Sequence, residues 1–387
     1  MLQMPNAETL LRGAELETGL SDWRTEHTGE PFEALEILVK DLQQHSRLHE
    51  LGVRRMYRRL HEVLCSRLKY IADRKRYPGL AEEKIEQPIF ILGLPRSGTT
   101  FLHNFLGSDP ENRAPHTAEM LFPAPKLSDP LARELRVQMC HESMTYMGMM
   151  DDVWQSVHPF GAARPDECIF IWELSLITAL YPAFGEMPNY EKYAFSYDYR
   201  KIYREQRDFL RYLQHKEGHR RWVLKAPIHV AFLEELFDTF PDAWILHSHR
   251  DPAKIYPSIV SMIEVSRSMF SDLLPDTNAG SRSYDDTWQR ALEFRKRPGM
   301  AERFVDIHFL ETQADPVTAV ERMYEKIGRS LSVERRQVME QWLSADSAEH
   351  KSRPRHRYDI ASSGLTLEDI DRENAEYVAA FGVLMER

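Results

Sequence analysis

Residues Pro88 to Leu106 read P-IFIL-GLPRSGTT-FLHNFL, and this stretch decides the fold. Ile89, Phe90, Ile91 and Leu92 form a short apolar run, partly β-branched, which is the pattern of a strand buried on both faces of a parallel sheet. Gly93 to Gly98 makes a tight turn around Pro95, and Thr99, Thr100, Phe101, Leu102 and Phe105 begin an amphipathic helix. Strand, glycine loop and helix N-terminus together make an anion site. The unpaired N–H groups of the first helical turn and the positive end of the helix dipole both face the loop.

The spacing from Gly93 to Gly98 matches the start of a Walker A loop, which continues with Lys and then Ser or Thr. Here Thr99 stands at the lysine position, so the usual clamp on β- and γ-phosphates is missing. Arg96 supplies the cation instead, and Ser97, Thr99 and Thr100 add hydroxyl donors around Gly98. An ordinary ATP or GTP site is disfavoured; a site for another phosphate-like group is not. A plain connection between a core strand and a core helix has no use for so many donors.

The motif LPRSGTT resembles the 5′-phosphosulfate loop of sulfotransferases that use 3′-phosphoadenosine 5′-phosphosulfate (PAPS). The resemblance runs from about Pro88 to Tyr358 and sharpens again over residues 221–260, RWVLKAPIHVAFLEELFDTFPDAWILHSHRDPAKIYPSIV. Trp222 to Leu224 reads as a strand ending at Lys225. Pro227 opens a helix with Val230, Leu233, Leu236 and Phe237 on one face, and Phe240-Pro241-Asp242 breaks it. Ala243 to Leu246 is a further buried strand leading to His249-Arg250-Asp251-Pro252, so strand, helix and strand alternate as in a parallel sheet. The resemblance implies that Arg250 and Ser258 bind the 3′-phosphate; a planar fork of donors with a directional hydroxyl suits that dianion. It implies that Lys225, at the strand edge where ligands collect, bonds the bridging oxygen of the donor. Phe304 to Phe309 is another strand, leading through Leu310-Glu311-Thr312 and Asp315-Pro316 into a helix to Ile327. The basic run from Lys351 to Tyr358 corresponds to the family's loop over the 3′-phosphate and adenine, which implies binding by Arg355, His356, Arg357 and Tyr358. The bland reading of that run is a solvated charge cluster.

A sulfuryl acceptor is usually a hydroxyl, and attack is easier when a base takes its proton. Glu119 is the first candidate. It sits about as far from Arg96 as the base glutamate of tyrosylprotein sulfotransferases sits from its loop arginine, although an ungapped match falls on Thr117. Its ordinary role would be a local cap or ion pair. His116, His229 and Glu167 are the other candidates. Glu167 lies in Pro165-Asp166-Glu167, which resembles the Pro-Glu-Glu segment of many bacterial sulfotransferases. His229 is equally readable as a structural hydrogen-bonding group. Met144, Met147, Met149 and Met150, the run His158-Pro159-Phe160-Gly161 and the aromatic stretch Tyr181 to Tyr212 either line an acceptor pocket or fill the core.

The chain has 387 residues, 42% hydrophobic and 28% charged, which is ordinary for a globular protein. A net charge of −10 argues against bulk attraction to nucleic acid, so Arg54, Arg55, Arg58 and Arg59 read as a solvated helix face. The start lacks a basic and then apolar leader, and no apolar run approaches the roughly 18–20 residues of a membrane helix. Cys65, Cys140 and Cys168 are odd in number and widely spaced, which suggests reduced thiols in a cytoplasmic protein and no zinc spacing.

The expected fold class is α/β, a central parallel sheet flanked by helices, P-loop-NTPase-like, with an N-terminal helical extension. Residues 1–87 form that extension on the spacing of Leu35, Leu38, Val39 and Leu42 and of Met56, Leu60, Val63, Leu64, Leu68 and Ile71, which stops at Tyr77-Pro78-Gly79. Residues 88–387 form the sulfotransferase domain. The resemblance implies transfer of a sulfuryl group from PAPS to a hydroxyl of a small-molecule acceptor, without a metal, releasing adenosine 3′,5′-bisphosphate. Lipid-like, phenolic and sugar hydroxyls all remain open as acceptors, as does the oligomeric state. The alternatives are an atypical P-loop kinase or NTPase, for which no Walker B aspartate is visible, and a non-catalytic nucleotide-binding module.

Overall fold

The computed structural model describes residues 2–273, 287–352 and 366–386. Five strands, β1 (Ile89–Gly93), β2 (Asn112–Arg113), β3 (Arg221–Lys225), β4 (Trp244–His249) and β5 (Phe304–His308), form one sheet in the order β2-β3-β1-β4-β5. Every neighbouring pair is parallel. The unbroken apolar run in β1 follows from its central place. Phe90 and Leu92 face one apolar core and Ile89 and Ile91 face the other, so both sides must be oily.

The first core is the larger. It holds helices α1 (Ala7–Thr18), α2 (Phe32–Gln44) and α3 (Glu50–Arg74) against Trp172, Tyr203, Trp222 and Phe240. Every residue on which the helical spacing of α2 and α3 rests is buried. Polar ties fasten the same layer: Arg59 of α3 donates to Glu173 at 3.0 Å, and Arg67 donates to the Trp23 carbonyl at 3.0 Å. The second core lies under α4 (Thr99–Gly107) and the helix Pro316–Lys326, through Leu102, Phe105, Val320 and Tyr324.

Helices α5 (Thr117–Leu121), α6 (Pro130–Tyr146), α7 (Asp152–Val157), α8 (Ile169–Trp172), α9 (Pro188–Ser196) and α10 (Tyr199–Gln214) fill the chain between β2 and β3. Most of the aromatic stretch is core: Tyr181, Tyr190, Tyr199, Tyr203, Phe209 and Tyr212 are buried, as are Met144, Met147 and Met149. After β3 the chain makes a 3-10 turn over Pro227–Phe232 and only then enters α11 (Leu233–Thr239), later than the proline suggests. The backbone at Phe232 leaves the helical region (φ −130°, ψ 39°), and His229 is turned inward onto the Tyr203 hydroxyl at 2.7 Å. Strand β4 continues to His249, beyond the apolar residues, and α12 (Pro252–Ser268) follows. The polar end of β4 is buried because it is satisfied: His249 meets Asp306 at 2.8 Å and His247 meets Arg295 at 2.9 Å. Among the described residues, no helix is long and apolar enough to cross a membrane.

Cys65, Cys140 and Cys168 are free and buried, and burial pushes each thiol up to about 12. Ellman's reagent at pH 8 is therefore expected to leave the native protein unlabelled and to count three thiols in denaturant. Fast labelling of the native protein would contradict this packing.

Candidate active site

The strands β1, β3 and β4 end on Gly93, Lys225 and His249, at one edge of the sheet, where Arg96, Lys225, Glu167, Arg250 and Ser258 lie. Gly93 brings β1 so close to β4 that an added Cβ would lie 2.3 Å from the Ser248 carbonyl oxygen, at a φ of +143°. The Ser248 hydroxyl donates to the Ser97 carbonyl at 2.6 Å and pins the loop to β4. Arg96 takes a left-handed φ of 71°, costing about 1–2 kcal/mol for a residue with a Cβ. Hydrogen bonds hold it there. Its Nε donates to Ser258 Oγ at 2.9 Å and its Nη1 to the Val157 carbonyl at 2.5 Å, while its own carbonyl accepts from Arg250 Nη1 at 2.9 Å.

The loop fits an anionic group. Gly98 caps α4 at φ 93° and, as a glycine, has no side chain to bond the first-turn N–H groups. The buried Ser97 hydroxyl has no partner among the described residues. These are donors waiting for an acceptor, at the positive end of a helix dipole. Beside them, Lys225 is wholly buried and reaches Glu167 Oε1 at 2.9 Å and Thr100 Oγ1 at 3.4 Å. A lysine charge taken out of water costs several kcal/mol unless it is paired, and Glu167 supplies the pair. The neighbouring Asp166 is buried and faces His158 Nε2 at 3.3 Å. Burial alone would raise its pKa, but the charge and hydrogen bond of His158, with the charge of Lys225, hold it below the usual range.

Of the base candidates, Glu167 is the one beside Lys225. Glu119 accepts from Arg113 at 2.9 Å and from the backbone N–H of His116 at 2.9 Å, the local cap and ion pair of its ordinary reading. Burial would raise its pKa, yet the Arg113 charge keeps it low. His116 stands at the start of α5 with much of the residue exposed, while packing around its ring lowers its pKa. His229 is buried between Phe90, Trp172 and Tyr203. Burial, and then the Lys225 charge, push it down to about 3, too weak a base for neutral pH.

Arg250 and Ser258 each contact Arg96, one at its carbonyl and the other at its guanidinium. The guanidinium of Arg250 also stacks on Phe309 at 3.8 Å and grips Glu386. Phe309 and Glu386 stand in no functional motif, and the run His158-Pro159-Phe160-Gly161 does not by itself show that His158 pairs with Asp166. Arg355, His356, Arg357 and Tyr358 lie outside the described residues. One cluster of metal-ligand type adjoins the site, His247, His249 and Asp306, but Arg295 is bonded to both His247 and Asp306 and already supplies a cation there.

Comparison with known proteins converges on one kind of enzyme. Residues 88–332 match the family described as the Sulfotransferase family. The chain is 27% identical over 258 residues to omega-hydroxy-beta-dihydromenaquinone-9 sulfotransferase Stf3 of Mycobacterium bovis, and spans 63% of that relative's length and 63% of its own. Its structure is similar to sulfotransferase STF9 from Mycobacterium avium, with a TM-score of 0.84 and 26% identity over 100% of this chain and 99% of that one. It is also similar to sulfotransferase STF1 from Mycobacterium tuberculosis H37Rv, with a TM-score of 0.79 and 29% identity over 96% and 99% of the two chains.

The buried histidines predict how stability depends on pH. Burial pushes both His103 and His229 from the ordinary 6.5 down to about 3. Below pH 6.5 the unfolded chain binds protons that the folded one refuses. Stability is therefore complete above that pH and falls as pH drops toward 3, by up to about 1.4 kcal/mol per pH unit for each histidine. Urea midpoints are expected to fall from pH 7.5 to pH 5; a flat or rising profile would contradict the buried neutral rings.

Proposed function

Because the chain belongs to the sulfotransferase family, we propose that it transfers a sulfuryl group from PAPS to a hydroxyl of a small-molecule acceptor and releases adenosine 3′,5′-bisphosphate. The observation that carries this reading is the joining of the glycine loop to Arg250 and Ser258 at one sheet edge. Arg96 lies between them, bonded to Ser258 through its side chain and to Arg250 through its carbonyl. A nucleotide bearing a phosphate at each end of its ribose suits such a pair.

In this reading, Arg96, Ser97, Gly98, Thr99 and Thr100 hold the 5′-phosphosulfate against the start of α4, and Arg250 and Ser258 hold the 3′-phosphate. Lys225, beside Thr100, donates to the bridging oxygen as the S–O bond breaks and its electrons pass to the departing nucleotide. Preorganised charge of this kind is typically worth about 3–4 kcal/mol in the transition state. The acceptor oxygen attacks sulfur from the opposite side, and Glu167, drawn away from Lys225 once the donor takes that cation, receives the acceptor proton. Glu119 keeps its role in fixing Arg113. Since Lys and Arg do the neutralising, no metal is called for. A small hydroxylated acceptor is supported by the mycobacterial relative, named for a hydroxylated menaquinone derivative.

Isothermal titration in EDTA tests the donor site. Adenosine 3′,5′-bisphosphate is expected to bind far more tightly than adenosine 5′-monophosphate. Arg250→Ala should weaken the bisphosphate by about 10–100-fold through loss of charge-assisted bonds. Lys225→Ala should lower PAPS turnover by roughly 100-fold or more while the bisphosphate still binds. Equal binding of the two nucleotides would overturn the reading. A requirement for Mg-ATP would favour a kinase, and binding without turnover a nucleotide-binding module.

A further inference from the structure

Arg250 is not waiting empty-handed. Its Nε donates to Glu386 Oε1 at 2.7 Å and its Nη2 to Glu386 Oε2 at 3.0 Å, so a carboxylate fills the edge with which arginine grips an oxyanion two-handed. Both side chains are largely buried, at 15% and 13% exposure. The segment that brings Glu386 here is well anchored. In the helix Ala375–Phe381, the Phe381 ring stacks on His249 at 4.3 Å and the Tyr377 hydroxyl lies 3.2 Å from His249 Nδ1. Beyond it, Val383 N–H donates to the Val378 carbonyl at 3.0 Å and Glu386 N–H to Asp251 Oδ2 at 2.9 Å.

We propose that Glu386 is the anion that stands in for the 3′-phosphate and must be displaced from Arg250 when the nucleotide binds, so that it sets donor affinity and speeds product release. This rests on the donor-site reading given above. Glu386 is not needed to aim Arg250. The guanidinium stacks on Phe309 at 3.8 Å, and its Nη1 is held by the Arg96 carbonyl at 2.9 Å. Both contacts survive if Glu386 leaves. Nor does departure require unfolding. The backbone bond from Glu386 to Asp251 can stay while the side chain swings out. A dianionic phosphate outbids a monoanionic carboxylate on Arg250 and gains Ser258 as well. When product leaves, the tethered carboxylate returns at high effective concentration and opposes rebinding. The bisphosphate therefore binds with its intrinsic affinity reduced by the fraction of molecules in which Arg250 is open. A nucleotide without a 3′-phosphate escapes that penalty.

The test is titration of the full chain in EDTA with adenosine 3′,5′-bisphosphate and with adenosine 5′-monophosphate, for the wild type, Glu386→Gln and Glu386→Ala. Both variants are expected to bind the bisphosphate roughly tenfold more tightly, with slower dissociation, and the monophosphate unchanged. Melting temperatures near that of the wild type would show that the variants fold. Weaker binding of the bisphosphate would make Glu386 a support for Arg250, and unchanged binding would make the contact incidental; either overturns the proposal. A loss for both nucleotides alike would mark a purely structural residue and overturn it too. If the wild type and variants show no preference for the 3′-phosphate, the donor-site reading itself fails, which is a separate and recognisable result.

Discussion

The close approach of β1 to β4 at Gly93 is the constraint from which the site follows. No side chain fits between Gly93 and the Ser248 carbonyl, so the two strand ends touch and the Ser248 hydroxyl can staple the loop through Ser97. The loop then has to turn sharply, and Arg96 takes the left-handed conformation that the turn demands. That strained residue joins the loop to β4 and α12, its carbonyl on Arg250 and its guanidinium on Ser258. Strain held by hydrogen bonds on both sides of a residue is a common feature of preorganised sites.

A second theme is that the cations of the site are accounted for without a nucleotide. Lys225 has Glu167 and Arg250 has Glu386. Buried charge demands this, since an unpaired lysine or arginine there would cost several kcal/mol. In the proposed function, donor binding would be an exchange of anions. The carboxylates would give up Lys225 and Arg250 as the phosphate and sulfate groups arrive, and Glu167, once released, would take the acceptor proton. Desolvation is thus met in the resting protein as well as in the complex.

Most of the architecture was legible in the sequence because it rests on short-range signals. The apolar run before Gly93, the breaker at Tyr77-Pro78-Gly79, and the strand, helix and strand from Trp222 to His249 each carry their own pattern. What escaped depends on partners distant in the chain. Apolar patterning ended β4 at Leu246, yet His247, Ser248 and His249 stay in the sheet because Arg295, the loop and Asp306 satisfy them. The spacing that favoured Glu119 could not reveal that Arg113 holds it, nor could Pro165-Asp166-Glu167 show that the segment docks by the bond from Cys168 N–H to the Lys225 carbonyl at 2.8 Å. Glu386 stands far along the chain from Arg250 in a segment without a motif, so only the fold could join them.

The most direct measurement is a crystal structure of the protein with adenosine 3′,5′-bisphosphate. The account predicts the 5′-phosphate on the N–H groups at the start of α4, within reach of Lys225, and the 3′-phosphate on Arg250 and Ser258 with Glu386 displaced. A bisphosphate bound with its 3′-phosphate away from Arg250, or away from this sheet edge altogether, would contradict it.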